Sequence, residues 1–414
     1  MYKIWIINQY SNSPDMPGHT RQYEIAKYLV NKKNDVRIYS SDFNLSLRKF
    51  LKLGFFNFSK SEYINKVKFI WLKVIPYSKN NFLRYVNIIS FALYVSLRLF
   101  FDLLKGYLKK NRPDILLASS PQLPAAFLSL LIAKIFKIKF ILEIRDLWPQ
   151  VLIEFNNYKE THFIIRILRS MEEFLYKNSD KCIVLSEGSV DYLRKKGGKN
   201  IFWLPNGPDL TCFKKVSLPI EKNGFDEKRT FNIYYTGAHG KLNDLGNVLK
   251  AAKLLNDFPI NFYFVGDGVE KTKLMNMSKG QRNIYFLNSV PKIKIPKILS
   301  KSDAILISLG KVKLFKYGVS PNKLYDAYAI GRPVISTVSG KVNDEISKFK
   351  LGVTAPPDDP ISLANSIKKL FFTSREERIS MANNARKLAE TIYSRKIISE
   401  KFDYLFRETI QELK

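Results

Sequence analysis

Short apolar runs recur along the whole chain, each followed by a stretch with the three-to-four-residue spacing of an amphipathic helix. Such runs predict strands at residues 3–7, 35–39, 67–72, 115–118, 140–143, 181–185 and 201–204, with helical patterns between them, as at 21–31, 83–109 and 163–177. Beyond Pro205-Asn206-Gly207-Pro208 the pattern dissolves into a polar, charged stretch, residues 214–229, which predicts a linker between domains. A second series predicts strands at 232–236, 260–265, 283–286, 304–308, 333–336 and 352–355. Its helices are predicted at 244–255, 292–300, 321–330, 361–371 and 375–392, and one more amphipathic helix covers 397–414. Alternation of this kind builds α/β layers around parallel sheets. The expected fold class is α/β, with two Rossmann-like doubly wound domains, residues 1–207 and 208–396, facing a cleft.

Composition narrows the class. With 414 residues, 46% of them hydrophobic, the chain can bury two cores. Its two cysteines, Cys182 and Cys212, lack metal-type spacing and point to a reducing compartment. The three histidines, His19, His162 and His239, are scattered, so no metal site is expected. Residues 1–9 read as a strand running into a polar loop rather than a cleavable leader.

The net charge of +31 is uneven: residues 44–110 hold thirteen Lys and Arg against two acids, Glu62 and Asp102, interleaved with Phe, Leu and Tyr. A nucleic-acid binder is one reading of such charge and predicts salt-steep binding to oligonucleotides. The apolar bulk around the charge suits an anionic membrane surface better, so no nucleic-acid partner is expected. The uncharged runs at 85–97, between Arg84 and Arg98, and at 123–133, closed by Lys134, fall short of the roughly twenty residues of a span. The expectation is a protein that lies on a membrane surface rather than crossing it.

The stretch from Gly318 to Ile335 carries the most specific chemistry. Ser320 and Pro321 are suited to opening a helix, and Lys323 follows in its first turn. A helix N-terminus already carries partial positive charge, so a lysine there calls for an anion such as a diphosphate. Asp326, one turn later, is placed to take a sugar or ribose hydroxyl. Ligands of parallel sheets bind beyond the carboxyl ends of the strands, which singles out four further loops. Gly18, His19 and Arg21 lie in the loop and helix start after the first strand. Glu143, Arg145 and Asp146 stand together after the fifth, where Asp146 can accept a proton and Arg145 can hold a phosphate. Gly237, His239 and Gly240, then Gly266 and Gly268, end two strands of the second series and let backbone approach a flat or anionic ligand.

Taken in order, Pro17-Gly18-His19-Thr20-Arg21, Arg145-Asp146-Leu147-Trp148-Pro149, Pro205-Asn206-Gly207-Pro208-Asp209, Tyr235-Thr236-Gly237-x-x-Gly240, Val265-Gly266-Asp267-Gly268 and Ser320-Pro321-Asn322-Lys323-Leu324-x-Asp326 resemble the retaining glycosyltransferases of family four. Within that family the chain looks most like the fucosamine-transferase-like enzymes of O-antigen and capsule assembly. The resemblance implies a GT-B fold, no cofactor and no metal. It implies a UDP-sugar donor held by the second domain, through Gly237, His239, Gly240, Gly266, Gly268, Ser320, Asn322, Lys323 and Asp326. It implies a polyprenyl-diphosphate-linked saccharide acceptor on the first domain, near Gly18, His19, Arg21 and Glu143, with the last helix packing back on that domain. With that acceptor it also implies a cytoplasmic protein on the inner face of the membrane. Asp146, Arg145 and Lys323 are the expected catalytic groups. Asp326 matches the second glutamate of the family's E-x7-E motif, while Gly318 stands where the first would be. The family's Arg and Lys after the Tyr-x-Gly strand are replaced by Ala238, His239 and Asn243, which leaves Lys323 to carry more of the phosphate charge, with Arg145 or Lys241 as helpers. A GT-B sugar-nucleotide epimerase is the nearest rival.

Overall fold

The structure is a computed structural model and describes all residues except 17, 46, 55–56, 79–81, 121–122, 157, 215–229 and 413–414. The predicted linker lies, from residue 215 on, outside the described residues, as does Pro17 of the first motif. The chain divides into two units, Met1–Leu204 with Ile398–Lys414, and Pro205–Ile397.

The first unit contains β1 (Lys3–Ile7), β2 (Asp35–Ser41), β3 (Phe43–Asn44), β4 (Lys49–Phe50), β5 (Ser59–Ile64), β6 (Val67–Leu72), β7 (Ile115–Ser119), β8 (Lys139–Ile144), β9 (Lys181–Val184) and β10 (Ile201–Trp203). Its helices are α1 (Arg21–Asn31), α2 (Phe82–Leu108), α3 (Leu123–Ile135), α4 (Gln150–Asn156), α5 (Phe163–Asn178) and α6 (Ser189–Lys195). The main sheet runs β10-β9-β8-β7-β1-β2-β6-β5. Helices cover both faces of a parallel sheet, which is why β1 and β7 are apolar at nearly every position. β5 went unpredicted because Ser59, Lys60 and Ser61 are polar and exposed. It pairs antiparallel with β6, and its charged edge discourages further pairing.

α2 matches the helix predicted at 83–109 to within a residue at each end. It runs 27 residues, about 40 Å, long and apolar enough to cross a membrane by length and composition, although its unbroken uncharged run is only half as long. Arg98 and Asp102 extend the helix through an i,i+4 pair (Nε to Oδ2 2.9 Å). Phe91, Val95, Leu99 and Leu103 bury one face in the unit. Ile89, Leu93, Leu97, Phe101 and Leu104 stand exposed on the other.

The second unit contains β11 (Phe231–Thr236), β12 (Ile260–Val265), β13 (Ile284–Leu287), β14 (Ala304–Ile307), β15 (Val334–Ser336) and β16 (Gly352–Thr354). They form an all-parallel sheet in the order β13-β12-β11-β14-β15-β16. The helices are α7 (Leu245–Lys253), α8 (Lys271–Met277), α9 (Ile295–Leu299), α10 (Asn322–Ile330), α11 (Lys341–Lys348), α12 (Pro360–Phe372), α13 (Arg375–Leu388) and α14 (Arg395–Gln411). α14 starts in this unit, and from Ile398 onward it packs Phe402, Leu405 and Phe406 into the core of the first.

Strand order reverses at one place in each sheet. In the first unit β1 lies between β2 and β7; in the second, β11 lies between β12 and β14. Connections leave such a pair in opposite directions and open a crevice at its carboxyl end, the usual ligand position in doubly wound sheets.

Candidate functional site

The second unit's crevice is occupied by Lys323. Its Nζ donates to Asn243 Oδ1 (2.7 Å), to Tyr235 Oη (3.2 Å) and to the Ser308 carbonyl (3.2 Å), and lies 4.5 Å from the Tyr235 ring centroid. These residues come from β11, the turn after it and the end of β14, the two strands that flank the reversal. All these partners are neutral. Desolvation therefore pulls the Lys323 ammonium down to about 7. A cation in a neutral cradle at a strand-order reversal is prepared for an anion.

The helix behind it starts later than its sequence suggests. α10 opens at Asn322 with Pro321 as its cap, and no side chain caps it. Ser320 is drawn away: its hydroxyl accepts from Asn206 N (3.0 Å) and bonds Tyr325 Oη (2.8 Å), while its carbonyl accepts from Asn206 Nδ2 (2.9 Å). The Pro-Asn-Gly-Pro segment thus braces the loop ahead of Lys323. Asn322 is exposed at the first turn. Asp326 is buried and paired with Lys292. Burial raises its carboxyl, and Lys292 and Arg395 pull it back down. Gly318 has φ +81°, a conformation that side chains rarely adopt. The backbone there fits glycine, beyond the mere absence of a glutamate.

The glycine loops after β11 and β12 pack closely against each other. A Cβ on Gly266 would sit 1.9 Å from the Gly237 carbonyl oxygen, and one on Gly268 within 2.8 Å of His239 backbone. Their missing side chains let the two loops lock together, with His239 N donating to the Asp267 carbonyl (2.8 Å). A Cβ on Gly240 would meet only Asn243 Nδ2, at 3.8 Å, an ordinary contact. His239 is fully buried, its ring edge-on to Phe286, with neither ring nitrogen hydrogen-bonded among the described residues. Desolvation and nearby Lys271 lower it against the opposing pull of Asp267.

In the first unit Glu143 is wholly buried near the end of β8. It accepts from Arg21 Nε (2.8 Å), Gln22 Nε2 (2.7 Å) and Ser119 Oγ (2.5 Å), tying α1 to β7 and β8. Burial alone would raise its carboxyl, but Arg21, Arg145 and Ser119 together hold it below the usual carboxylate range. Arg21 also donates to the Leu204 carbonyl (2.6 Å) and packs 5.4 Å from the Phe402 ring centroid of α14. Arg21 and Glu143 are therefore bonded to each other, and the pair ties α1 to the end of β8. Gly18, with φ +129°, lies against Asn12, whose amide nitrogen would meet a Cβ at 2.3 Å.

Exposed chemistry remains on three residues of this unit. His19 is exposed, yet the protein around it and the charge of Arg145 lower it to about 4. Arg145 is half-buried and Asp146 is open to solvent. The protein packed around it nevertheless raises the Asp146 carboxyl against the pull of Arg145. Among the described residues no three His, Cys, Asp or Glu side chains gather to hold a metal ion.

Tyr235, Asn243, Asn206 and Lys292 were missed as site residues. The signal for Asn243 was present, since an amide stands there in place of a family cation and becomes the acceptor for Lys323. Nothing in the sequence marks Lys292 as the partner of Asp326.

Two family models match the chain: "Glycosyltransferase Family 4" over residues 19–211 and "Glycosyl transferases group 1" over residues 230–372. The chain is 25% identical to a Pseudomonas aeruginosa protein named a probable glycosyltransferase, WbjE, over 67% of this chain and 70% of the other. It is 22% identical to WcaI of Escherichia coli (strain K12), a protein named for colanic acid biosynthesis, over 79% of this chain and 81% of the other. Its fold is similar to that of HepE from Anabaena, solved in complex with UDP and glucose, with a TM-score of 0.65 at 14% identity, covering 99% of this chain and 100% of that one.

Proposed function

Since the chain belongs to glycosyltransferase family 4, with the GT-B fold and retaining chemistry, we propose that it moves an N-acetylated amino sugar from a UDP-sugar to a polyprenyl-diphosphate-linked saccharide. N-acetylfucosamine and GlcNAc are the sugar types meant, and O-antigen or capsule assembly is the setting. The observation that carries the donor half is Lys323, a cation with neutral partners at a strand-order reversal. The WcaI and HepE names support surface polysaccharide and UDP in turn.

Chemically, Lys323 and the first turn of α10 hold the donor diphosphate and stabilise the charge it gains as the sugar leaves. Asp326 reaches the ribose once Lys292 gives it up. Asp146 orients the acceptor hydroxyl, and the departing diphosphate helps take its proton, so that attack comes from the face the leaving group vacates. Arg145 and His19 border that acceptor position.

Binding tests the donor half. UDP-glucose keeps a fixed diphosphate charge near neutral pH, so its affinity reports the protonation of Lys323. Affinity is expected to hold below pH of about 7 and to weaken above it, by up to about tenfold per pH unit, because the free ammonium is lost there while the anion-bound one is not. Lys323→Arg, which stays charged, should flatten the profile in calorimetry; an unchanged slope would remove Lys323 from the site. Incubation with a UDP-sugar alone separates the epimerase, which would interconvert free UDP-sugars without an acceptor.

The lipid acceptor implies a membrane surface, and α2 is the face we assign to it. Its exposed apolar stripe is flanked by Arg84, Arg98 and Lys105. Replacing these three with Glu should release the protein from phosphatidylglycerol vesicles in a sedimentation assay, and unchanged sedimentation would refute the assignment.

A further inference from the structure

The first turn of α5 exposes apolar side chains at a cost that its surroundings do not explain. Phe163, Ile164 and Ile167 are 73%, 45% and 40% exposed, while Ile165 between them is fully buried. The turn is held in place from beneath. His162 Nδ1 accepts from Ile164 N (3.3 Å), and the His162 ring stands edge-on to Tyr158. Arg169 fastens the preceding loop through Glu160 (3.1 Å) and α4 through Gln150 Oε1 (3.0 Å), and is itself paired with the fully buried Glu172 (3.0 Å). Exposed Lys159 and Arg166 flank the apolar tip, and the neighbouring acid Glu160 is already paired with Arg169.

Topology says where this tip points. α2, α3 and α5 pack side by side, α2 on α3 and α3 on α5. α2 precedes β7, α3 joins β7 to β8, and α4 and α5 join β8 to β9, in a run of neighbouring parallel strands. Helices in such crossovers run against the strands, so their N-termini lie at the strands' carboxyl edge. The exposed start of α2, with Phe82 and Leu83, is therefore at the same edge as the α5 tip. Arg145 and Asp146 leave β8 at that edge too.

We infer that the first turn of α5 is a second membrane contact, its apolar tip seated in the same anionic leaflet that receives α2, so that the edge bearing Arg145 and Asp146 faces the lipid. This rests on the surface-binding reading of α2. The cations beside the tip match an anionic leaflet, and three large side chains on one braced turn give a compact insertion point. Two separated contacts fix the orientation of the unit, which one helix stripe does not. The mouth of the acceptor position then opens where a lipid-linked sugar emerges from the bilayer.

The test compares F163S/I164S/I167S with the α2 charge-reversal variant, as full-length proteins, on phosphatidylglycerol and phosphatidylcholine vesicles. The α5 variant should lose phosphatidylglycerol binding by about tenfold or more while keeping its melting temperature and UDP-glucose affinity, since the replaced side chains are exposed. Turnover should fall on a vesicle-embedded long-chain acceptor and stay unchanged on a soluble short-tailed one. If the α5 variant binds vesicles as wild type does while the α2 variant is released, this inference is wrong and the α2 reading stands. If neither variant is released, the surface reading itself fails. A self-associating wild type whose dimer dissolves in the α5 variant, with vesicle binding unchanged, would also overturn the inference in favour of a second copy of the chain.

Discussion

Lys323→Ala is expected to lower turnover by about a hundred- to a thousandfold or more, the loss typical of removing one preorganised donor from a developing anion. Stability should move the other way. The ammonium is held by burial among neutral partners and is pulled down to about 7, so the folded protein carries a desolvation penalty whenever Lys323 is charged. That penalty is present below about pH 7 and fades above it. Alanine removes it, so the variant should melt no lower than wild type at pH 6. A residue kept only for packing would show the reverse, a lower melting temperature with turnover reduced only in proportion. Lys323→Arg separates charge from shape: it restores positive charge but not the compact fit against Asn243 and the Tyr235 ring. Partial rescue is the expected result.

Glu143→Ala should be the largest stability effect. Glu143 is fully buried and its partner Arg21 is 9% exposed at the side chain, so losing the carboxylate strands a guanidinium in a dry site. Breaking a buried pair by removing one partner costs about 3–5 kcal/mol, enough to shift a urea or thermal transition plainly. Removing both partners, in Arg21→Met with Glu143→Leu, should recover part of that loss, because the stranded charge is gone. The single variant should also lose activity through the Arg145–Asp146 segment that follows Glu143. If Glu143→Ala melts as wild type does, Glu143 has no positioning role, and the direct acceptor contact implied by resemblance returns as its explanation.

The elements were legible because a parallel sheet covered on both faces leaves unbroken apolar runs, as in β1 and β7, and at α10 because Gly331 marks the helix end. β5 was not, because an edge strand needs no apolar run and is defined by its antiparallel partner. α2 was legible as a helix, but counting only its uncharged run understated its apolar reach, since Arg98 is satisfied by Asp102 inside the helix. In the site, Lys323 could be found from one local oddity, a lysine where the helix dipole disfavours it. Its cradle could not, since Tyr235, Asn243 and Ser308 come together only when β11 and β14 become neighbours. The same holds for Arg21, which reads as a loop-edge cation until Glu143, Leu204 and Phe402 close around it. Local chemistry was written in the sequence; which groups are consumed by their neighbours was decided by long-range packing.

The central claim is transfer of a sugar from a UDP-linked donor to a lipid-diphosphate saccharide, and one assay meets it directly. A panel of UDP-sugars is incubated with the protein, with and without a short-chain polyprenyl-diphosphate saccharide, while UDP release is followed and the product anomer is read by NMR. UDP release that requires the acceptor, with a product that keeps the donor's anomeric configuration, is the predicted result. Interconversion of free UDP-sugars without the acceptor, or the absence of acceptor-dependent UDP release across the whole panel, would contradict it.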